Sequence, residues 1–321
     1  MQKINIVFMG TPEFAVTILK KLNENENVNV LATLTAPDKP AGRGQKINKS
    51  AVKLFSEANN LRCLQPTNLK EKSFVEELQE INADLFVVVA FRMLPEIVWN
   101  MPSRGTINLH ASLLPQYRGA APINWAVING EEKTGVTTFF IEQEIDTGLV
   151  IEQEAIAIQN TDTAGDLHDK LMHLGAKLTL RSVLKIAKAE VERTAQSLLL
   201  KGELKSAPKI FKPDCKINFE QPALTVHNFI RGLSPYPTAW FKLIRIKDNL
   251  EKTVKVFSAS ICDETTQHEN IELIIKDKSL LVLLNSGYLE INELQLEGKK
   301  RLKAEQFILG FTPTDWKIAD Y

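Results

Sequence analysis

Residues 4–34 read INIVFMGTPEFAVTILKKLNENENVNVLATL. Ile4 to Met9, apolar apart from Asn5, reads as a buried strand. Gly10-Thr11-Pro12 then turns the chain, with Thr11 suited to cap a helix and Pro12 to its first position. Phe14, Ala15, Ile18, Leu19 and Leu22 recur at helical spacing and form one apolar stripe. Val28 to Leu34 reads as a second strand. Strand, crossover helix and strand make a βαβ unit, which closes right-handed onto a parallel sheet. Gly10 stands without a Gly-x-Gly-x-x-Gly pattern, which argues against a dinucleotide site at this turn.

The pattern continues downstream. Ser50 to Asn60 reads as a helix, Arg62 to Gln65 as a short strand and Lys70 to Ile81 as an amphipathic helix. Leu85 to Ala90 is continuously apolar, as a central parallel strand should be. The N-terminal part is therefore expected to be a doubly wound, Rossmann-like α/β domain. Gly105 to Pro122 reads GTINLHASLLPQYRGAAP. Ile107 and Leu109 alternate with Asn108 and His110, so the two polar side chains share one face of a strand. A loop marked by Pro115, Gly119 and Pro122 follows, and open parallel sheets bind ligands beyond the carboxyl ends of their strands. An amide there can hydrogen-bond an oxyanion, and an imidazole can move a proton near pH 7. An isolated Asn-x-His reads more often as two satisfied polar residues on a half-buried strand. Val136 to Ile141 and Leu149 to Glu154 read as strands flanking Ile145-Asp146-Thr147-Gly148. A carboxylate on that turn can return to the sheet's end and orient the imidazole, or it is simply a solvated turn aspartate.

The run Asn-Leu-His-Ala-Ser-Leu-Leu-Pro-x-Tyr-Arg-Gly-Ala-Ala-Pro, residues 108–122, with Asp-Thr-Gly at 146–148, resembles the formyltransferase family that uses 10-formyltetrahydrofolate. From Phe8-Met9-Gly10-Thr11-Pro12-Glu13-Phe14 onward the chain is similar to the methionyl-tRNA formyltransferases. The resemblance implies a catalytic group of Asn108, His110 and Asp146. It implies folate contacts from Val89, Ala90, Phe91 and Arg92, and from Ser112, Leu113, Leu114 and Pro115. Arg92 stands where relatives often have glycine, which puts the local backbone shape in question or adds a cation near the folate glutamate. Gln116 replaces a frequent Arg. No metal is implied, because the formyl donor is already activated and the nucleophile is an amine.

Charge separates the remaining readings. Lys+Arg and Asp+Glu number 39 each in 321 residues, so a polyanionic partner must be met by local patches. From Lys39 to Lys53 there are five basic residues and no acidic one, and Pro and Gly mark this stretch as a loop. A charge run is most often a solvated surface. Here the resemblance implies a loop that engages the tRNA acceptor end through Arg43, Lys46 and Lys49. Cys63, Cys215 and Cys262 form no Cys-x-x-Cys, which fits neither a disulfide scaffold nor a zinc site and suits a reducing cytoplasm. Leu85 to Phe91 is too short to span a bilayer, and no signal peptide is expected.

Thr163-x-x-Asp166 offers a cap before a helix with Leu167, Leu171, Leu174 and Leu178. Its His168 and His173 are not at metal-ligand spacing. Arg181 to Lys212 carries eight basic and three acidic residues, and Pro208 and Pro213 mark a linker. Strand-like runs at 254–259, 271–275, 280–284 and 288–296 suggest a small β-barrel. His227-Asn228 to Ala239-Trp240 resembles the family's OB-like C-terminal domain, where Lys299, Lys300 and Arg301 form a basic cluster for tRNA. The expected division is 1–189 catalytic, 190–208 basic linker and 209–321 tRNA-binding barrel. The expected partners are methionyl initiator tRNA and 10-formyltetrahydrofolate, with the chain a monomer and no membrane involved. The rivals are a sugar-nucleotide formyltransferase, a hydrolase that passes formyl to water, and a non-catalytic RNA-binding protein on the same fold.

Overall fold

The structure, a computed structural model, describes residues 3–41, 46–268 and 270–319. It divides into two compact units. The first comprises Met1–Gly119, Thr134–Ile156 and His168–Ser206; the second comprises Ala120–Lys133, Ala157–Leu167 and Ala207–Tyr321.

The first unit is built on β1 (Ile4–Gly10), α1 (Glu13–Asn23), β2 (Val28–Leu34), β3 (Lys39–Ala41), β4 (Lys46–Asn48), α2 (Ala51–Ala58), β5 (Cys63–Leu64), α3 (Lys72–Glu80), β6 (Leu85–Val89), α4 (Glu96–Trp99) and β7 (Thr106–His110). Its sheet runs, in spatial order, from strand Val150–Ala157 through strand Lys133–Phe140 to β7, β6, β1, β2 and β5. From β7 to β5 every pairing is parallel, and Lys133–Phe140 joins β7 antiparallel. β6 is buried at all five positions, as its unbroken apolar sequence demands. Val7, Met9, Ala32, Leu34, Phe86 and Val88 form a core with Phe74 and Leu78 of α3.

Local differences from the sequence reading have local causes. α1 starts at Glu13 with Pro12 in the extended position before it, so Thr11 caps nothing. Ser50 does cap α2, accepting the Lys53 N–H at 3.0 Å. The stretch read as a plain loop contains a ribbon in which β3 and β4 pair antiparallel, with Pro40 opposite Ile47. A two-stranded ribbon has two edges and tolerates a proline there.

The second unit carries α7 (Ala223–Gly232) and an antiparallel sheet ordered 272–276, 279–283, 286–296, 251–267, 239–245, 316–318. Its two end strands approach each other, so the sheet nearly closes into a barrel. Phe219, Val226, Ile230, Phe241, Val254 and Ile291 fill it. The units do not follow the linear division at 189 and 208. α5 (Pro122–Ile128) belongs to the barrel unit, where Asn124 donates to Gly232 O at 2.8 Å. The 157–167 segment is clipped to α7 by Arg231, which donates to Asp162 O at 2.9 Å. Conversely, residues 190–206 pack into the first unit instead of linking the two. α6 (Ala164–Ala187) opens with the expected cap: Thr163 Oγ1 accepts from Asp166 N at 3.1 Å, and Asp166 Oδ2 accepts the Thr163 N–H at 2.9 Å.

Candidate active site

β7 places Asn108 and His110 two residues apart at the carboxyl end of the sheet. Asn108 stands in register between Val88 and Phe139, and His110 opposite Thr137. Asn108 is half-buried, and among the described residues its side-chain amide makes no hydrogen bond. His110 is buried. Its Nε2 lies 2.8 Å from Tyr117 O. A carbonyl only accepts, so this nitrogen carries the hydrogen and Nδ1 is the basic nitrogen of the neutral ring. Nδ1 faces Asp146 Oδ2 at 3.8 Å, too far for a hydrogen bond and near enough to attract an imidazolium. The same Oδ2 accepts the Gly119 N–H at 3.0 Å.

The loops that converge here are held in costly conformations. Ala90, Tyr117 and Asp146 have φ of 47°, 61° and 57°. Left-handed backbone at a residue with a Cβ costs roughly 1–3 kcal/mol and persists where the surroundings impose it. At Tyr117, its N–H donates to Lys205 O at 2.7 Å, while Gln116 Oε1 accepts Lys205 N–H at 2.8 Å. At Asp146, the buried Gln196 donates to Asp146 O and Gly148 O, both at 2.9 Å. Gly148 has no room for a side chain: a Cβ there would lie 1.7 Å from Phe140 O. Gly148→Ala is therefore expected to push the turn off the strand end, lowering stability by about 1–3 kcal/mol. It should also slow turnover by moving Asp146; thermal unfolding and steady-state kinetics check both.

The 112–115 loop is fixed from within. Thr137 Oγ1 donates to Ser112 O at 2.6 Å and accepts Leu114 N–H at 3.1 Å, and Gln153 Nε2 donates to Leu114 O at 2.7 Å. Ser112 Oγ donates to Gln116 O at 2.6 Å. On the other side of β7, the turn after β6 opens on a cavity of about 940 Å³ between residues 67–70 and 92–97. Met93, Leu94, Pro95 and Ile97 give it apolar walls, Lys70 and Arg92 give it cations, and Glu96 gives it a carboxylate. Arg92 donates to Thr67 O at 2.9 Å and to Pro66 O. Burial lowers its pKa from the ordinary value, and a guanidinium remains charged at neutral pH.

The formyl transferase profile matches residues 2–183, and the formyl transferase C-terminal domain profile matches 209–312. The methionyl-tRNA formyltransferase of Flavobacterium johnsoniae is 50% identical over 98% of this chain and 98% of its own. That of Bacteroides thetaiotaomicron is also 50% identical, over the same shares. The chain belongs to the methionyl-tRNA formyltransferase family. The fold is shared more widely: an N-formyltransferase from Helicobacter canadensis, solved with folinic acid and dTDP-3-aminofucose, superposes with a TM-score of 0.65. It is 20% identical and covers 93% of this chain and 100% of that one.

In this formyltransferase the expected site residues lie at differing depths. Asn108, His110 and Asp146 come together. Val89, Ser112, Leu114 and Pro115 are buried, Phe91 and Leu113 half-buried, and Ala90 and Arg92 exposed. Ser112 and Leu114 are engaged in the loop's own bonding. The left-handed residue of the turn is Ala90, not Arg92, so arginine fits its position without strain. None of Asn108, His110 or Asp146 lines the cavity. Among the residues expected to meet RNA, Arg43 and the side chain of Lys46 lie outside the described residues. Lys49 Nζ is paired with Glu57 at 2.8 Å. Arg301 pairs with Glu293 and lies 4.0 Å over the Phe257 ring. Lys299 and Lys300 are exposed and make no ion pair among the described residues. Among the described residues no group of three or more His, Cys, Asp or Glu is placed to hold a metal, and no helix is long and apolar enough to cross a membrane. Sequence reasoning missed Gln196, and no motif announces it.

Proposed function

We propose that this formyltransferase moves the formyl group of 10-formyltetrahydrofolate onto the α-amino group of methionyl initiator tRNA, in the cytoplasm, giving formylmethionyl-tRNA. One observation carries the chemistry: an unpartnered amide, Asn108, beside an imidazole whose basic nitrogen faces a carboxylate. The donor supplies a formyl group already activated by its attachment to an aryl amine nitrogen. Asn108 donates an N–H to the formyl oxygen as negative charge develops there. His110 Nδ1 takes the proton that the methionyl amine loses as its nitrogen bonds the formyl carbon. That proton passes to the donor nitrogen as its bond to the formyl carbon breaks, so the ring returns to neutral. Asp146 stabilises the transient imidazolium, and the Tyr117 carbonyl keeps the ring oriented. The cavity lined by Arg92 and Lys70, with apolar walls and the single carboxylate of Glu96, suits the flat ring system and anionic tail of a folate.

The acceptor end of the tRNA reaches this site with help from Arg43, Lys46 and Lys49 on one unit and Lys299 and Lys300 on the other. Arg301 is already committed to Glu293 and contributes less. Arg43 sits between two glycines, and its planar fork bridges phosphate or base edges. Arg43→Ala is expected to lower kcat/KM for methionyl-tRNA about 10- to 10²-fold with donor binding unchanged. Arg43→Lys should recover part of it. Kinetics over a salt series with a donor titration check this; weakened donor binding with intact tRNA use would move the loop to the folate pocket.

The function itself is tested by supplying labelled 10-formyltetrahydrofolate with methionyl-tRNA and, separately, a dTDP-amino sugar. Label on the methionyl group is expected. Label on the sugar nucleotide, or released as formate, would defeat the proposal.

A further inference from the structure

Neither family profile covers residues 184–208, and the sequence marks this stretch only as basic and proline-flanked. In the structure it is a strap across the first unit. Thr194 exchanges backbone hydrogen bonds with Val150 at 2.8 and 2.9 Å, and Arg193 lies 4.3 Å over the Phe140 ring. Gln196 is 4% exposed, the most buried side chain between Val191 and Ser206. Its Oε1 accepts from Arg118 Nε at 3.0 Å and Nη2 at 2.7 Å. Its Nε2 donates to Asp146 O and Gly148 O at 2.9 Å each. The partners fix which end is which: a guanidinium has only donors, and the two carbonyls only accept.

All four bonds end on the two turns that frame His110. Arg118 sits between Tyr117, whose carbonyl holds the ring, and Gly119, whose N–H holds the Asp146 carboxylate. Asp146 is itself left-handed at φ 57°, a conformation that persists only where its surroundings impose it. A planar amide supplies two donors to the carbonyls flanking that turn and an acceptor to the facing cation. A carboxylate of the same size supplies no donor.

We propose that Gln196 is a positioning residue of formyl transfer: its amide locks the Asp146 turn to Arg118 and so sets the Asp146 carboxylate opposite His110 Nδ1. The inference rests on the reading of Asn108, His110 and Asp146 as the catalytic group. It makes the strap part of the active site instead of a tether between folded parts.

The test uses the full chain. Gln196→Glu keeps the size of the side chain and the Arg118 contact and loses both donors. It is expected to lower kcat about 10-fold, since small misplacements of a reacting group are costly. KM for donor and for methionyl-tRNA should stay within about twofold, and the thermal unfolding midpoint should remain above the assay temperature. If Gln196→Glu does not fold, Gln196→Met reads the same quantity without adding charge. The change is repeated in an Asp146→Asn background, where it should cost nothing more, because contacting residues that act as one unit are not additive. An unchanged kcat for Gln196→Glu beside a slow Asp146→Asn overturns the proposal and leaves the catalytic reading standing. A full further loss in the Asp146→Asn background also overturns it, since Gln196 would then act elsewhere. Asp146→Asn turning over like the parent defeats the catalytic reading itself.

Discussion

Asn108→Ala is expected to lower kcat about 10²- to 10³-fold, the usual loss when one oxyanion donor is removed. The substitution isolates that role well. Among the described residues the amide makes no hydrogen bond to the protein, so its removal leaves no buried partner unsatisfied. The backbone pairing of β7 with Val88 and Phe139 does not involve the side chain. Stability should therefore fall by well under the roughly 1–3 kcal/mol that an orphaned buried group costs. KM for both substrates should change little, because the bond strengthens as charge develops on the formyl oxygen and contributes little before. Steady-state kinetics beside a thermal melt are the check; a variant within about threefold of the parent would remove Asn108 from catalysis.

His110→Ala should be at least as slow, about 10²- to 10⁴-fold, and should differ in stability. The imidazole is buried and bonded to Tyr117 O, and it faces a carboxylate that is itself largely shielded. Truncation leaves that carbonyl short of a partner and opens a void, so a loss of about 1–3 kcal/mol accompanies the loss of rate. The two variants together separate effects. Asn108→Ala is slow and stable, whereas His110→Ala is slow and easier to melt. Equal stability of both would mean that the Tyr117 contact carries no weight.

The elements whose burial is one-dimensional were plain in the sequence. β6 is an unbroken apolar run because both faces of a central parallel strand are covered, β1 and β2 are largely apolar with Asn5 and Asn29 near their starts, and α1 shows its stripe because one face is covered. Asn108 and His110 were visible as a polar pair on an apolar strand, and the resemblance gave them meaning. What sequence could not show depends on contacts without local signature. The meeting of Asp146 with His110 needs the loop after the 133–140 strand to fold back, because that strand passes His110 at Thr137 and ends with Phe140 opposite Ile107. The grouping of 120–133 and 157–167 with the barrel has no local signature, because Arg231 and Asn124 fasten distant segments through side-chain bonds to backbone carbonyls. Nothing in the stretch after Glu190 announces its packing, since Gln196 is one of many neutral residues there and its partners, Arg118, Asp146 and Gly148, are distant in sequence. Thr11 had cap chemistry, yet Pro12 stands outside the helix and moves its start to Glu13.

Single-turnover formyl transfer tests the central claim most directly. Enzyme in excess is mixed with methionyl-tRNA and labelled 10-formyltetrahydrofolate, and the tRNA is stripped to recover the amino acid. The parent should give labelled formylmethionine in stoichiometric yield, and Asn108→Ala should give the same product about 10²- to 10³-fold more slowly. Absence of formylmethionine from the parent, or equal rates for the two proteins, would contradict the account.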